Sequence, residues 1–237
     1  MSVSPLPASP RLTFLLDVDN TLLDNDAAKA ELARRILARL GPAETERFWS
    51  VYEAVRAETS VVSYPLTLAR FWGAAEIAED LETRRGEVYA LADLVVGFPY
   101  ADFLYPQVFE TVAHLRTLGR VAILSDGDPA YQPSKIARAG LDPAVDGFVL
   151  VYGHKQEHMV EVAASFPADR FVLVEDKPDN ITAVRTALGE LGLPLTGVLV
   201  RQGKYAAKVG AGPWDGAEHT LERFAALRGL GRDAFLG

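Results

Sequence analysis

Five short runs of apolar and β-branched residues fix what this chain can fold into: Leu12 to Val18, Val121 to Ser125, Phe148 to Val151, Phe171 to Val174 and Thr196 to Val200. Each run is continuous rather than alternating, the pattern of a strand covered on both faces, and such strands belong to parallel sheets. The last four are separated by segments of helix length. These are Gln132 to Ala139, closed by Gly140; Lys155 to Phe166; and Pro178 to Leu191, opened by a proline and closed by Gly192. A βαβ series of this kind predicts a doubly wound, mostly parallel α/β sheet. Ligands of such sheets bind beyond the carboxyl ends of the strands, where strand order reverses, so chemistry is expected at the ends of these runs.

About a hundred residues separate the first run from the second, far more than one crossover helix needs, which predicts an insertion. Within it, Ala27 to Leu40 places Leu32, Ile36 and Leu40 four apart and stops at Gly41-Pro42. Helical patterns continue over Glu44 to Glu58, Leu66 to Ala75 and Ile77 to Val96, and Pro106 to Leu118, ended by Gly119, leads back into the second strand. The expected organisation is a discontinuous α/β core over 1–23 and 104–237, with an all-helical insertion over 24–103.

Charge and composition narrow the partners. The chain carries 24 basic against 32 acidic residues, a formal net charge of −8, and the insertion alone has 14 acidic and 9 basic residues. Neither gives an electrostatic reason to expect nucleic acid or an anionic membrane. No stretch approaches the roughly 18 uninterrupted apolar residues of a bilayer span. Cysteine is absent, which excludes disulfides, thiolate metal sites and a cysteine nucleophile. The first ten residues lack a positive charge before an apolar stretch and carry Pro5, Pro7 and Pro10, so a loose tail rather than a signal peptide is expected, and with it a cytoplasmic protein.

The first run ends in Asp17-Val18-Asp19-Asn20-Thr21. Strand alternation puts Asp17 and Asp19 on one side, so two carboxylates converge at the sheet edge. The ordinary alternative is a solvated turn. The fourth run repeats the arrangement, passing into Glu175, Asp176, Lys177, Pro178, Asp179 and Asn180. If the two strands are neighbours, their carboxylates form an oxygen-rich site that suits a hard cation such as Mg2+; the competing role is to cap the helix that starts at Pro178. Two other runs end in Ser125-Asp126-Gly127 and in His154-Lys155, adding a hydroxyl, backbone amides and an ammonium. Other patterns fail. His154 and His158 are four apart but lack the glutamate of a zinc-binding H-E-x-x-H, and Gly197 with Gly203-Lys204 misses the P-loop spacing and its Ser/Thr.

Taken together, Asp17 to Asp24 (DVDNTLLD), Ile123 to Gly127 (ILSDG), Lys155 and Val174 to Asn180 (VEDKPDN) resemble the four motifs of the haloacid dehalogenase (HAD) superfamily, in its order and at strand ends. The resemblance covers nearly the whole chain and implies a Rossmann-like HAD core with a helical C1-type cap. Lys155 departs from a common Lys-Pro pattern, which leaves Lys135 as a competitor. By this resemblance the protein is a phosphatase of a small phosphorylated metabolite. Asp17 is the nucleophile that forms an aspartyl-phosphate, and Asp19 is the general acid and then base. Ser125, the amides near Asp126 and Gly127, and Lys155 stabilise the phosphoryl oxygens, while Thr21 orients the loop at the nucleophile. Mg2+ is held by Asp17, the Asp19 carbonyl and Asp176, with Glu175 as a further ligand. The dehalogenase branch generally lacks the second aspartate, so Asp19 argues against dehalogenation. A phosphomutase and a non-catalytic binding module are the alternatives. Cap hinges are expected at Asp24 to Asp26 and Gly97 to Phe103, with Tyr52, Arg56, Tyr64, Arg70 and Trp72 as candidates for substrate selection.

Overall fold

The structure, a computed structural model, describes residues 10–73 and 81–237. The expected N-terminal tail over 1–9, and the ends of two expected helices that fall within 74–80, lie outside the described residues. Six parallel strands form one sheet: β1 (Leu12–Leu16), β2 (Arg120–Asp126), β3 (Val149–Tyr152), β4 (Arg170–Glu175), β5 (Leu195–Val200) and β6 (His219–Leu221), in the order β3-β2-β1-β4-β5-β6. Five coincide with the predicted runs. The three-residue β6 pairs with the outer side of β5 and was not expected.

Alternation along each strand sends side chains to two cores. Phe14 and Leu16 of β1 meet Ile123 of β2 and Val172 and Val174 of β4 on one face, together with Val112 and Leu115. Leu15, Leu124 and Leu173 meet Val162, Ile181 and Val184 on the other. The helices that supply these partners are α4 (Val108–Leu118) on the first face, and α7 (Met159–Ser165) and α8 (Pro178–Glu190) on the second. Each fully buried Leu, Val or Phe stabilises by about 1.5–3 kcal/mol, so coverage of both faces is what makes the continuous apolar runs favourable.

Between β1 and α4 the chain forms α1 (Asn25–Thr59), α2 (Tyr64–Gly73) and α3 (Leu81–Val96). Asp24 caps α1 by accepting from the Ala27 amide at 2.9 Å. The predicted stop at Gly41-Pro42 appears as a break inside α1, where Gly41 takes φ 73°. The halves on either side bury Leu32 and Ile36, then Phe48, Tyr52 and Val55. Phe48 meets Phe71 of α2 edge-on at 5.4 Å. The two connections to this helical layer run side by side: the Asp24 amide donates to the Phe103 carbonyl at 2.8 Å, and the Tyr105 amide to the Leu22 carbonyl at 3.0 Å. The other expected helices appear as α5 (Tyr131–Arg138), followed by the short α6 (Leu141–Ala144), and as α7 and α8. The segment expected as one helix over Lys155 to Phe166 is instead a 3-10 turn, Lys155–His158, and then α7. Among the described residues no helix is long and apolar enough to cross a membrane.

Candidate active site

Strand order reverses at β1: the chain leaves it for β2 and β3 on one side and returns to β4 on the other. The ends of β1 and β4 therefore lie side by side at the position where ligands of such sheets bind. The Asp17 amide donates to the Val174 carbonyl at 3.0 Å, which carries the β1–β4 pairing one residue past β1 and sets Asp17 beside Glu175 and Asp176. The chain then turns sharply. The Leu22 and Leu23 amides both donate to the Val18 carbonyl, Asn20 adopts φ 63°, and its Oδ1 accepts from the Asp26 amide at 3.2 Å. The loop after β5 closes on this turn at Gly203, where φ is +65° and a Cβ would stand 2.4 Å from Asn20 Cγ.

Lys155 sits at the centre of the site and is fully buried. Its Nζ donates to Asp17 Oδ1 at 2.7 Å, to Glu175 Oε2 at 2.6 Å and to the Leu124 carbonyl at 3.3 Å. Thr21 Oγ1 donates to the other Asp17 oxygen at 3.3 Å. Glu175 is saturated: Oε1 accepts from the Asp176 and Lys177 amides at 3.1 Å each, and Oε2 also accepts from Asn180 Nδ2 at 3.1 Å. Both oxygens of Asp176 are buried without a hydrogen-bond partner. One oxygen each from Asp17, Glu175 and Asp176 lies within 4.8 Å of the others, an arrangement that could hold a cation. The helix-capping alternative does not hold, because Lys177 occupies the N-cap of α8 and no side chain caps it.

The electrostatics follow from burial and like charge. Burial, and then the charge of Glu175, push Asp17 up to about 7 against the pull of Lys155 and Lys177. Burial, then Asp17 and Glu175, push Asp176 up to about 10. Burial raises Glu175 too, but Lys155, Lys177 and its hydrogen bonds prevail and bring it down to about 2. For Lys155, burial favours the neutral amine, yet the charges of Asp17, Glu175 and Asp126 outweigh it and leave the ammonium above its usual range.

The other expected residues fall in different places. Asp19, 29% exposed, turns away from the three carboxylates: Lys135 Nζ donates to its Oδ1 at 2.5 Å and to Asn25 Oδ1 at 2.7 Å. Lys135, the competitor for Lys155, thus joins Asp19 to the first residue of α1. Ser125 was expected to offer its hydroxyl to a ligand. It is buried at the end of β2, accepts from Gln132 Nε2 at 3.0 Å and donates to the Asp126 carbonyl at 3.3 Å. The Asp126 carboxylate ties loops together by accepting from the Lys155 amide at 2.8 Å and Asn180 Nδ2 at 3.3 Å.

A cavity of about 250 Å3 opens between this sheet edge and the helical layer. Asp19, Asp126 and Gly127 line it, as do Tyr52, Arg56 and Tyr64 from the helical layer. Arg70 does not reach it, since both its guanidinium nitrogens bond Glu58 at 2.6 and 2.9 Å, and Trp72 packs edge-on to Phe71. Sequence reasoning missed Lys29, Tyr100, Tyr131, Lys177 and Lys204, which also line the cavity. Of these, only Lys177 carried a signal, its place beside Asp176 at a strand end.

The model for haloacid dehalogenase-like hydrolases matches residues 12–189. A structure assigned to that class, from Burkholderia xenovorans LB400, is 33% identical and superposes with a TM-score of 0.79, covering 96% of this chain and 100% of its own. The HAD-hydrolase YfnB from Bacillus subtilis, bound to magnesium, is 18% identical with a TM-score of 0.54, over 92% and 97% of the two chains. L-2-haloacid dehalogenase from Xanthobacter autotrophicus, with chloropropionic acid covalently bound, is 17% identical with a TM-score of 0.54, over 92% and 97%. No protein of curated function matches the sequence. The family match spans every strand-end motif that builds the site, and with it the chain belongs to the haloacid dehalogenase-like hydrolases.

Proposed function

We propose that this protein is a cation-dependent phosphatase that removes phosphate from a small phosphorylated metabolite through an aspartyl-phosphate on Asp17. The observation that carries this reading is a pair of carboxylates, two residues apart, in unlike surroundings: Asp17 buried and clamped by Lys155, Asp19 on the cavity wall. That separation suits a nucleophile and a general acid–base group, which need opposite environments.

In the first step an Asp17 oxygen bonds to phosphorus as the ester P–O bond breaks, and Asp19 gives its proton to the departing alkoxide. In the second, Asp19 takes a proton from water, the water oxygen bonds to phosphorus, and the acyl-phosphate bond breaks to restore Asp17 and release inorganic phosphate. Lys155 holds Asp17 in place and Thr21 fixes its second oxygen. Lys135, bonded to Asp19, fixes the orientation of the acid–base group. The helical layer acts as a cap that keeps bulk water from the acyl-phosphate.

Oxygen donors alone suit a hard cation, and the partnerless Asp176 carboxylate is the feature of this chain that fits Mg2+. Asp17, Asp176 and the Asp19 carbonyl would hold the ion, while Glu175, already saturated, holds Lys155 and the turn before α8. When bound, Mg2+ offsets the repulsion between the carboxylates and an anionic substrate. A stability prediction follows. Asp176 is raised from 3.8 to about 10, so between these values the cation-free folded state binds more protons than the unfolded chain, and its stability falls as pH rises. At neutral pH in EDTA, Asp176→Asn, which needs no proton to stay neutral when buried, is expected to raise Tm by several degrees, at about 1.4 kcal/mol per pKa unit of mismatch and about 2–4 °C per kcal/mol at this size, and to abolish stabilisation by Mg2+. Thermal melts against pH check this; a variant that melts lower in EDTA, or still gains from Mg2+, contradicts it.

The Xanthobacter structure makes dehalogenation the competing chemistry, but Asp19 favours phosphoryl transfer, since it supplies the proton that an alkoxide leaving group needs. The test is phosphate release from an aryl phosphate and a panel of sugar, nucleotide and organic-acid phosphates, with Mg2+ or EDTA, for wild type and Asp17→Asn. Release that needs Mg2+ and falls by more than about 10⁴-fold in Asp17→Asn is expected. Release that survives both changes removes Asp17 as nucleophile. Chloride release from 2-haloacids without phosphate release supports the dehalogenase instead, and transfer to a sugar without release supports a mutase.

A further inference from the structure

The cavity is lined by five cationic side chains and only two carboxylates, in a protein whose net charge is −8. Most of the cations are matched. Lys135 pairs with Asp19 at 2.5 Å, Lys204 with Asp26 at 3.5 Å, and Arg56 with Glu53 at 3.5 Å. Two ammonium groups, Lys177 and Lys29, have no carboxylate within 4.0 Å among the described residues. Lys177 follows β4 and faces Asp17 and Asp176, so its charge belongs to the reacting end. Lys29 stands on α1, on the helical wall of the cavity, one turn beyond Asn25.

The surroundings of Lys29 hold the ammonium in place without neutralising it. Its Nζ donates to Tyr52 Oη at 3.3 Å, lies 4.7 Å from the centre of the Tyr52 ring and 5.6 Å from a Trp49 ring. Tyr52 is itself buried and packs on Tyr64, with ring centres 5.4 Å apart, so the side chain that positions Nζ is fixed. The acids whose charge favours its ammonium, Glu53 and Asp26, are each already shared with Arg56 or Lys204, and those two cations repel Lys29. Half-burial is the largest cost to its charge. An anion in the cavity would offset that cost.

We propose that the substrate carries a second anionic group, a carboxylate or a second phosphate, on the leaving-group side, and that Lys29 receives it while its phosphoryl group sits at Asp17. This rests on the phosphatase reading for the reacting end and adds the class of molecule turned over: a small bis-anionic phosphoester, with a carbon skeleton short enough for about 250 Å3. Tyr52, Tyr64 and Tyr131 line the same cavity.

The test compares matched pairs: 3-phosphoglycerate with glycerol 3-phosphate, and fructose 1,6-bisphosphate with fructose 6-phosphate. Wild type is expected to favour the bis-anion of at least one pair in kcat/KM by about tenfold or more, the scale of one charge-assisted hydrogen bond. Lys29→Met should collapse that ratio and Lys29→Arg should keep it. The pair that responds assigns the second group as carboxylate or phosphate. Calorimetric binding of the same four compounds to Asp17→Asn, with Lys29 intact or as Lys29→Met, reads the same preference without turnover. Hydrolysis without any preference, or a preference that Lys29→Met leaves unmoved, overturns the second-anion site and spares the phosphatase. A Lys29-dependent binding preference without turnover of any ester does the reverse.

Discussion

Replacing Lys155 with methionine is expected to lower Tm by about 6–20 °C and to abolish activity. Methionine fills a similar volume, so the loss isolates the charge. Without Nζ, Asp17 and Glu175 remain as neighbouring carboxylates out of contact with water, and Glu175 keeps only neutral donors. Breaking one side of a buried ion pair costs about 3–5 kcal/mol, which at about 2–4 °C per kcal/mol for a chain of this size gives the range above. The double variant Lys155→Met/Glu175→Gln should recover part of the loss, because groups in one network are not additive. Acid acts on the same pair. Glu175 is depressed from 4.5 to about 2, so its stabilisation is full above 4.5 and is lost as pH falls through 2. Urea and thermal unfolding of the three proteins measure these effects. A loss under about 1 kcal/mol with no recovery in the double variant would mean that Lys155 is not the counter-ion the geometry makes it.

Asp19→Asn is expected to cut kcat for alkyl phosphates by about 10²–10⁴-fold, the usual contribution of a positioned acid–base group. Stability should change little. The asparagine keeps an oxygen for Lys135, which also retains Asn25. The loss should be smaller for an aryl phosphate in the first step, since a phenolate departs without a proton, whereas the second step still lacks its base. Phosphoenzyme should then accumulate on the aryl substrate. Burst kinetics with alkyl and aryl esters separate the two steps; equal losses on both, with no burst, would assign Asp19 a positioning role alone.

The parts of this molecule that were legible in the sequence are those set by continuous burial. Strands β1, β2, β4 and β5 are apolar along their length because both faces are covered, and that pattern is visible without a fold. Strand β6, three half-buried residues beginning at His219, offers no such pattern, and its pairing depends on β5. The break at Gly41 was readable because proline disfavours helical backbone at the residue before it and glycine takes the φ of 73° without strain. Asp17, Glu175 and Asp176 could be brought together because each ends a strand. The side-chain partners could not. Lys135 and Asp19 are 116 positions apart and meet only because α5 packs against the β1 turn. Ser125 is legible at its strand end, but its partner Gln132, in the first turn of α5, is not. Lys29 reads as a solvated lysine on an amphipathic helix until the cavity and Tyr52 are in view.

The nucleophile can be tested most directly by stopping Asp19→Asn with acid during turnover of an aryl phosphate in Mg2+ and mapping the modified peptide by mass. The mass of one phosphoryl group is expected on the Asp17 peptide, appearing within the burst and absent from Asp17→Asn/Asp19→Asn. Phosphate release with no adduct at Asp17, or an adduct on another residue that survives Asp17→Asn, would contradict the assignment.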